Sequence, residues 1–210
     1  MSSKAALGLV ASAVPALVIA RDVLRNWGAT KGEQALALPG DDLVPDPADV
    51  ITRAVNVEAC AARVWPWLVQ IGQDRAGMYS YEWLENLFGL DIHNADEIRS
   101  EWQQLSAGDT VRLVPPGALG LTGGFALTVE QIEPERSLVL WIKPWHAVWS
   151  LHLRPYGPAR CRLISRSRTP RQHGLARAGS ELFDPITLLM TRKLLLGIKA
   201  RAERVPVATL

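Results

Sequence analysis

The sequence predicts an α+β domain in which a curved antiparallel sheet wraps around a long C-terminal helix, with two short helices after the first strand. Three observations lead there. An alternating segment near residue 51 precedes two segments with helical spacing, five alternating segments separated by turn residues fill positions 110–168, and the chain closes on an amphipathic stretch of about twenty residues. A sheet with one apolar face needs a cover, and the stripe of the last helix needs one too, so each is the other's natural partner.

Residues 51–57 set Ile51, Arg53, Val55 and Val57 against Thr52, Ala54 and Asn56, an imperfect strand pattern. In ACAARVWPWLVQIG the apolar positions Val64, Trp67, Leu68 and Ile71 recur every three or four residues, so a helix is expected, kinked at Pro66 and ended by Gly72. Residues 80–87 place Trp83, Leu84 and Leu87 on one stripe and Tyr81 and Glu85 on its neighbour, with Gly89 closing the segment. A loop bearing Asp91, His93, Asn94 and Asp96 leads into a short polar helix at 98–105. Strands are expected at 110–114, 125–132, 138–142, 147–153 and 160–168. Phe125, Leu127 and Val129 alternate with Ala126, Thr128 and Glu130, so one face of the sheet meets a core or cavity and the other meets water. In RCRLISRSR the residues Arg160, Arg162, Arg166 and Arg168 share one parity and Cys161 and Leu163 the other, which reads as a solvent-facing row of arginines. Asp184-Pro185 is a cap followed by proline at a first helical position, and Ile186, Leu189, Met190, Leu194 and Ile198 continue the final stripe.

At 210 residues, 48% hydrophobic and 21% charged, the chain fits one globular domain with an appendage and excludes disordered, collagen-like and multispanning membrane classes. Cys60 and Cys161 lack metal-ligand neighbours, which argues against a disulfide scaffold or zinc site; two free thiols in a reducing, cytoplasmic compartment are the preferred reading and one isolated bridge is the alternative. The net charge of +2 hides an asymmetry: residues 22–101 hold 14 acids and 6 bases, residues 154–204 hold 3 acids and 12 bases. Nucleic acid is not the expected partner, because aromatic residues are not interleaved with the bases as a stacking platform requires.

Residues 1–26 form an apolar N-terminal segment. Ala5 to Ala20 is an uncharged run of sixteen residues between Lys4 and Arg21, short of the roughly 20 needed to span a bilayer. It reads as a membrane-interface helix continuing through Trp27 or as a secretory leader, with membrane association through residues 5–20 preferred. Residues 27–50, with Pro39-Gly40 and Pro45-Asp46-Pro47, read as a linker packed on the domain, and residues 51–205 as the folded unit.

VWPWLVQIGQDRAGMYSYEWLENLFGLDIHNADEI, residues 64–98, resembles a segment of a bacterial branch of the START-related (SRPBCC, polyketide cyclase/dehydrase-like) superfamily. WGAT, LPGDDLVPDP and MTRKLLLGIKARAE are similar to segments of the same branch, and Met78 stands where that branch carries an aromatic residue. The resemblance implies the helix-grip fold and a cavity between sheet and C-terminal helix for hydrophobic molecules such as lipids, sterols or polyketides. It transfers no catalytic residue and no cofactor.

A cavity of that kind needs an apolar lining and a few placed polar groups. Trp65, Trp67, Trp83, Phe88, Trp141, Trp149 and Met190 are the lining candidates, with Tyr79, Tyr81 and His93 as polar handles; Trp67 on a helix stripe reads first as packing. For catalysis the candidates are His93, Tyr81 and Glu85, with His93 paired to Asp91 or Glu85 as general base and a tyrosine hydroxyl orienting a ligand oxygen. Asp91, His93 and Asp96 do not make a recognisable metal site, and no phosphate loop or nucleophile elbow occurs. Three functions remain: a carrier of a hydrophobic small molecule, a cyclase or dehydratase of polyketide or lipid tailoring, and an interaction module whose cavity is filled. The oligomeric state is left open.

Overall fold

A computed structural model describes residues 21–204, and between 175 and 184 it describes the path of the helix only. The elements are α1 (Lys31–Ala35), β1 (Asp49–Val57), α2 (Ala61–Val69), α3 (Glu82–Leu87), β2 (Thr110–Val114), β3 (Phe125–Glu133), β4 (Ser137–Ile142), β5 (Ala147–Pro155), β6 (Cys161–Thr169) and α4 (Gly174–Ala202). All strand pairs are antiparallel, in the order β1-β6-β5-β4-β3-β2. Register shifts between Arg112 and Val114 and between Val129 and Gln131 add the local bend that a sheet needs to curl around a helix.

The concave face carries Leu127, Val129, Leu138, Leu140, Leu151, Leu153 and Leu163, which form one core with Val64, Trp67 and Leu68 of α2. Leu194, Leu195, Ile198 and Ala202 of α4 join that core, and the helix lies against α2 and β1. Its approach is close. A Cβ at Gly197 would stand 2.3 Å from the Tyr79 carbonyl oxygen, so glycine is required there.

Two boundaries differ from expectation. α4 starts at Gly174, upstream of Asp184-Pro185, and Pro185 lies inside it; proline's fixed φ suits a helix, and the cost is one lost backbone hydrogen bond plus crowding of the preceding turn. The polar helix expected at 98–105 shrinks to a 3₁₀ turn at Ser100–Trp102, because only Trp102 and Leu105 pack on the core there and no helical stripe exists to bury.

The largest departure is on the convex face. The parity of the arginines is as read and Arg160 is exposed, yet Arg162, Arg166 and Arg168 do not face solvent, since residues 28–45 cross that face as a strap. Arg166 is 1% exposed, and each of its five N–H groups has an acceptor: Thr52 Oγ1 at 3.2 Å, the carbonyls of Leu36, Glu33 and Gln34, and Asp41 Oδ2 at 2.8 Å. Arg162 grips both carboxylate oxygens of Glu33 and the Gly28 carbonyl, and Arg168 takes the Val44 carbonyl. Leu38 packs on Ala54 and Ile164, and Val44 on Val139 and Val148. The opposed charges of the two ends of the chain therefore meet within the molecule: Arg160 pairs with Glu58, Arg166 with Asp41, and both Arg201 and Arg204 with Asp96. Burying such cations is tolerable only with every donor paired, which the strap's carbonyls provide.

The apolar run at 5–20 lies outside the described residues. No described helix is long and apolar enough to cross a membrane.

Candidate functional site

The candidate ligand site is the part of the concave face that the Leu194–Ala202 stretch of α4 does not cover. Leu194, Leu195, Ile198 and Ala202 supply the buried core residues of α4, and Ile186 and Leu189 upstream of them face solvent. Opposite, Phe125, Ile142 and Trp149 project from the concave face and are only half-buried, unlike Leu127, Leu140 and Leu151 beside them. Trp149 Nε1 donates to Ser165 Oγ at 2.9 Å, and Arg53 of β1, the neighbour of Ser165 across the β1–β6 pair, is buried on the same face with Nη1 donating to the Thr187 carbonyl of α4 at 3.3 Å, so this wall carries polar groups beside its apolar ones. Trp65 of α2 is half-buried against the same core. Met190 sits at the edge, its sulfur accepting from Ser80 Oγ at 3.3 Å.

The other lining candidates lie elsewhere. Trp141 has the opposite parity to Ile142, so it faces the strap and packs against the cluster of Val44, Val139 and Val148, with His146 edge-on at 6.0 Å. Sequence could not choose between the faces because a shift of one residue exchanges them. Trp83 and Phe88 point outward, Trp83 being 69% exposed, because the six-residue α3 turns a different side to the core and buries Glu85 instead. Tyr79 is no handle in a cavity: it is 1% exposed, accepts from Gln70 Nε2 at 2.9 Å, stacks edge-on to Trp67 and lies beneath Arg201. Burial pushes its hydroxyl well above the ordinary tyrosine range despite the Gln70 bond.

The expected catalytic trio is not gathered at one point. His93 is exposed and lies 3.3 Å from Glu82 Oε1 and 3.2 Å from Asp91 Oδ1, so its partners are Glu82 and Asp91 rather than Glu85. The bond to Glu82, and then that to Asp91, raises its pKa. Glu82 also accepts from the Asn94 backbone at 3.0 Å, which ties the loop to the start of α3. No local pattern pointed to Glu82, eleven residues from His93. Tyr81 is half-buried with Lys193 Nζ 5.5 Å from its ring centre. Glu85 is 3% exposed, its Oε2 lacks a hydrogen-bond partner, and burial, followed by the Glu82 charge, raises its pKa to about 7.

Among the described residues no group of His, Cys, Asp and Glu could hold a metal ion. Cys60 and Cys161 are both free, and burial, with Cys60 nearby, lifts the Cys161 thiol to about 11, far from a reactive thiolate. Two concavities bounded by described residues have no α4 residue in their walls. One, of about 470 Å³, runs under the strap at Leu36 to Pro39 with His152 in its wall, and the other sits at the β5–β6 hairpin around Tyr156 to Arg160.

With β1 added beside β6, a β2–β6 meander and a C-terminal helix on the concave face, the topology is decisive. The chain has the helix-grip fold. No family model matches its sequence, and no curated protein does. Solved structures similar to this helix-grip domain include Zhui aromatase/cyclase from Streptomyces, at 14% identity over 74% of this chain and 94% of that one, with a TM-score of 0.44. Norcoclaurine synthase from Thalictrum flavum is another, at 13% identity, 75% and 94% coverage and a TM-score of 0.42. A polyketide-cyclase-like protein from Corynebacterium glutamicum gives 15% identity, 71% and 88% coverage and a TM-score of 0.38. At such identities and scores no residue role passes from those proteins to this helix-grip domain.

Proposed function

We propose that the protein binds a hydrophobic small molecule, lipid-like or polyketide-like, between the concave face of the sheet and the upstream part of α4. The supporting observation is the half-burial of Phe125, Ile142 and Trp149 on a face whose neighbouring residues are fully packed. Large apolar side chains left partly uncovered on an inner face gain free energy when an apolar ligand covers them, at roughly 25 cal/mol per Å². The Trp149–Ser165 pair supplies a polar contact that orients the guest. Native mass spectrometry of the protein purified from its own host tests this: a copurified apolar molecule, lost in Trp149→Ala, is expected. A chain that is empty after gentle purification and binds no apolar probe would end the proposal.

A catalytic reading, cyclase or dehydratase of lipid or polyketide tailoring, is favoured by Glu85 alone. A buried carboxyl with one unpartnered oxygen and a pKa of about 7 is suited to give and take a proton at neutral pH. Under this reading Glu85→Gln retains the copurified molecule but stops its conversion, and unchanged conversion removes the assignment.

A further inference from the structure

Three separate elements bring exposed apolar side chains to one stretch of α4. Arg53 links two of them, its Nε donating to the Arg25 carbonyl at 3.0 Å and its Nη1 to the Thr187 carbonyl at 3.3 Å. Residues 21–25 are helical and expose Val23 and Leu24, so these lie beside the α4 segment that exposes Ile186 and Leu189. The third element is α3. Ser80 bonds Met190 and Lys193 lies over Tyr81, which sets the start of α3 along the same stretch, and α3 exposes Trp83 and Leu87, the latter to 72%, with Phe88 following. Exposed large apolar residues scattered singly need no explanation, but a convergence of this kind marks a contact surface.

The chain itself indicates what covers it. Residues 5–20 are sixteen uncharged, mainly apolar residues that run directly into Arg21 and the exposed Val23 and Leu24. A segment of that composition partitions to a lipid interface, and a Trp and Phe beside aliphatic side chains is the mixture that settles at the boundary of headgroup and acyl chain. Among the described side chains the acids near the surface are engaged: Asp22 bonds Lys31 and Asn26, Glu82 bonds His93 and the Asn94 backbone, and Glu85 is buried. Arg192 and Lys193 border the surface as cations over Trp27 and Tyr81.

We propose that this surface, formed by residues 21–25, the Ile186–Leu189 turn of α4 and α3, docks on a lipid bilayer together with the apolar residues 5–20. The side chains enter the headgroup boundary and the helix-grip body stays in water.

The full-length chain cosedimenting with sucrose-loaded phosphatidylcholine vesicles, with and without phosphatidylglycerol, tests the proposal. The wild type is expected to sediment with both. A variant carrying Trp83→Ser, Leu87→Ser, Ile186→Ser and Leu189→Ser, all at exposed positions, is expected to lose about 10-fold in partitioning while keeping its circular dichroism. In Trp83→Phe binding stays, and quenching of tryptophan fluorescence by bilayer-buried brominated lipid falls. Leu9→Asp with Leu17→Asp is expected to weaken binding as well. The proposal is overturned if the wild type stays in the supernatant, or if the four-serine variant sediments like the wild type, since residues 5–20 would then act alone. It is equally overturned if the wild type is a dimer that the four-serine variant dissolves, since a second copy would then be the occupant.

Discussion

On the concave face of the sheet, α4 is held by Leu194, Leu195 and Ile198 in a continuous apolar core; on the convex face, residues 28–45 are held by Arg162, Arg166 and Arg168 of β6. The first contact is non-directional, so it can extend, slide or stop part-way along a helix, as it does upstream of Leu194. The second is directional, with every donor of Arg166 assigned to a particular acceptor, and it fixes the strap in one register. One sheet thus has a side held by apolar packing and a side held by assigned hydrogen bonds.

The sharpest way to break this contrast is Arg166→Met, which keeps the apolar stem and removes all five donors. The carbonyls of Glu33, Gln34 and Leu36 would lose this partner, and Asp41 would keep only the Leu38 backbone N–H and the longer contact to Arg168, a change that costs about 3 kcal/mol. Urea unfolding measures it, and proteolysis between residues 36 and 45 should accelerate. A loss below about 1 kcal/mol would mean that Leu38 and Val44 hold the strap without the arginine. Leu195→Ala probes the other side, where a fully buried leucine leaves a cavity costing about 3 kcal/mol. Strap proteolysis should not change in that variant; if it did, the two faces would not be independent.

The contrast also separates what was legible in the sequence from what was not. Period two located the six strands to within a few residues, and the parity of Arg162, Arg166 and Arg168 against Cys161 and Leu163 was correct. Parity says which residues share a face, not what covers it. The cover was encoded in the charge asymmetry, acids upstream and bases downstream, which reads as a partner's signature until the fold shows the two ends meeting. The same logic explains the site. Trp149 and Trp141 sit on neighbouring strands with equal claims by composition, and only the register puts Trp149 inside and Trp141 under the strap. Glu85 appeared as a stripe neighbour of Tyr81, but its burial depends on how the short α3 docks, which no local pattern specifies.

Acid sharpens the comparison next. His152 lies on the convex side, 2.8 Å from Ser150 Oγ, and burial, reinforced by Arg166, lowers its pKa to about 4. A folded value below the unfolded 6.5 means that the unfolded chain binds the proton first, so stability is full above pH 6.5 and lost as pH falls toward 4. By pH 5 the loss is about 2 kcal/mol. His152→Gln should flatten that part of the stability profile. A wild-type profile already flat between pH 7 and pH 5 would show that His152 is reached by water and titrates normally.

The smallest effect tests whether the clasp works as one unit. Thr30 caps α1 through a reciprocal box, its hydroxyl accepting from the Glu33 backbone while Glu33 Oε2 accepts from the Thr30 backbone at 2.7 Å. The same carboxylate takes Arg162, and although burial works against its charge, the bonds from Arg162 and Thr30 prevail and hold it below the usual glutamate range. Thr30→Ala alone should cost about 1 kcal/mol. Because the cap orients the carboxylate that Arg162 grips, Thr30→Ala and Arg162→Met should not add: the double variant is expected to lose less than the two single losses together. Strict additivity would mean that α1 and the β6 arginines hold the strap separately, and that the convex face is closed by neighbouring contacts instead of a coupled network.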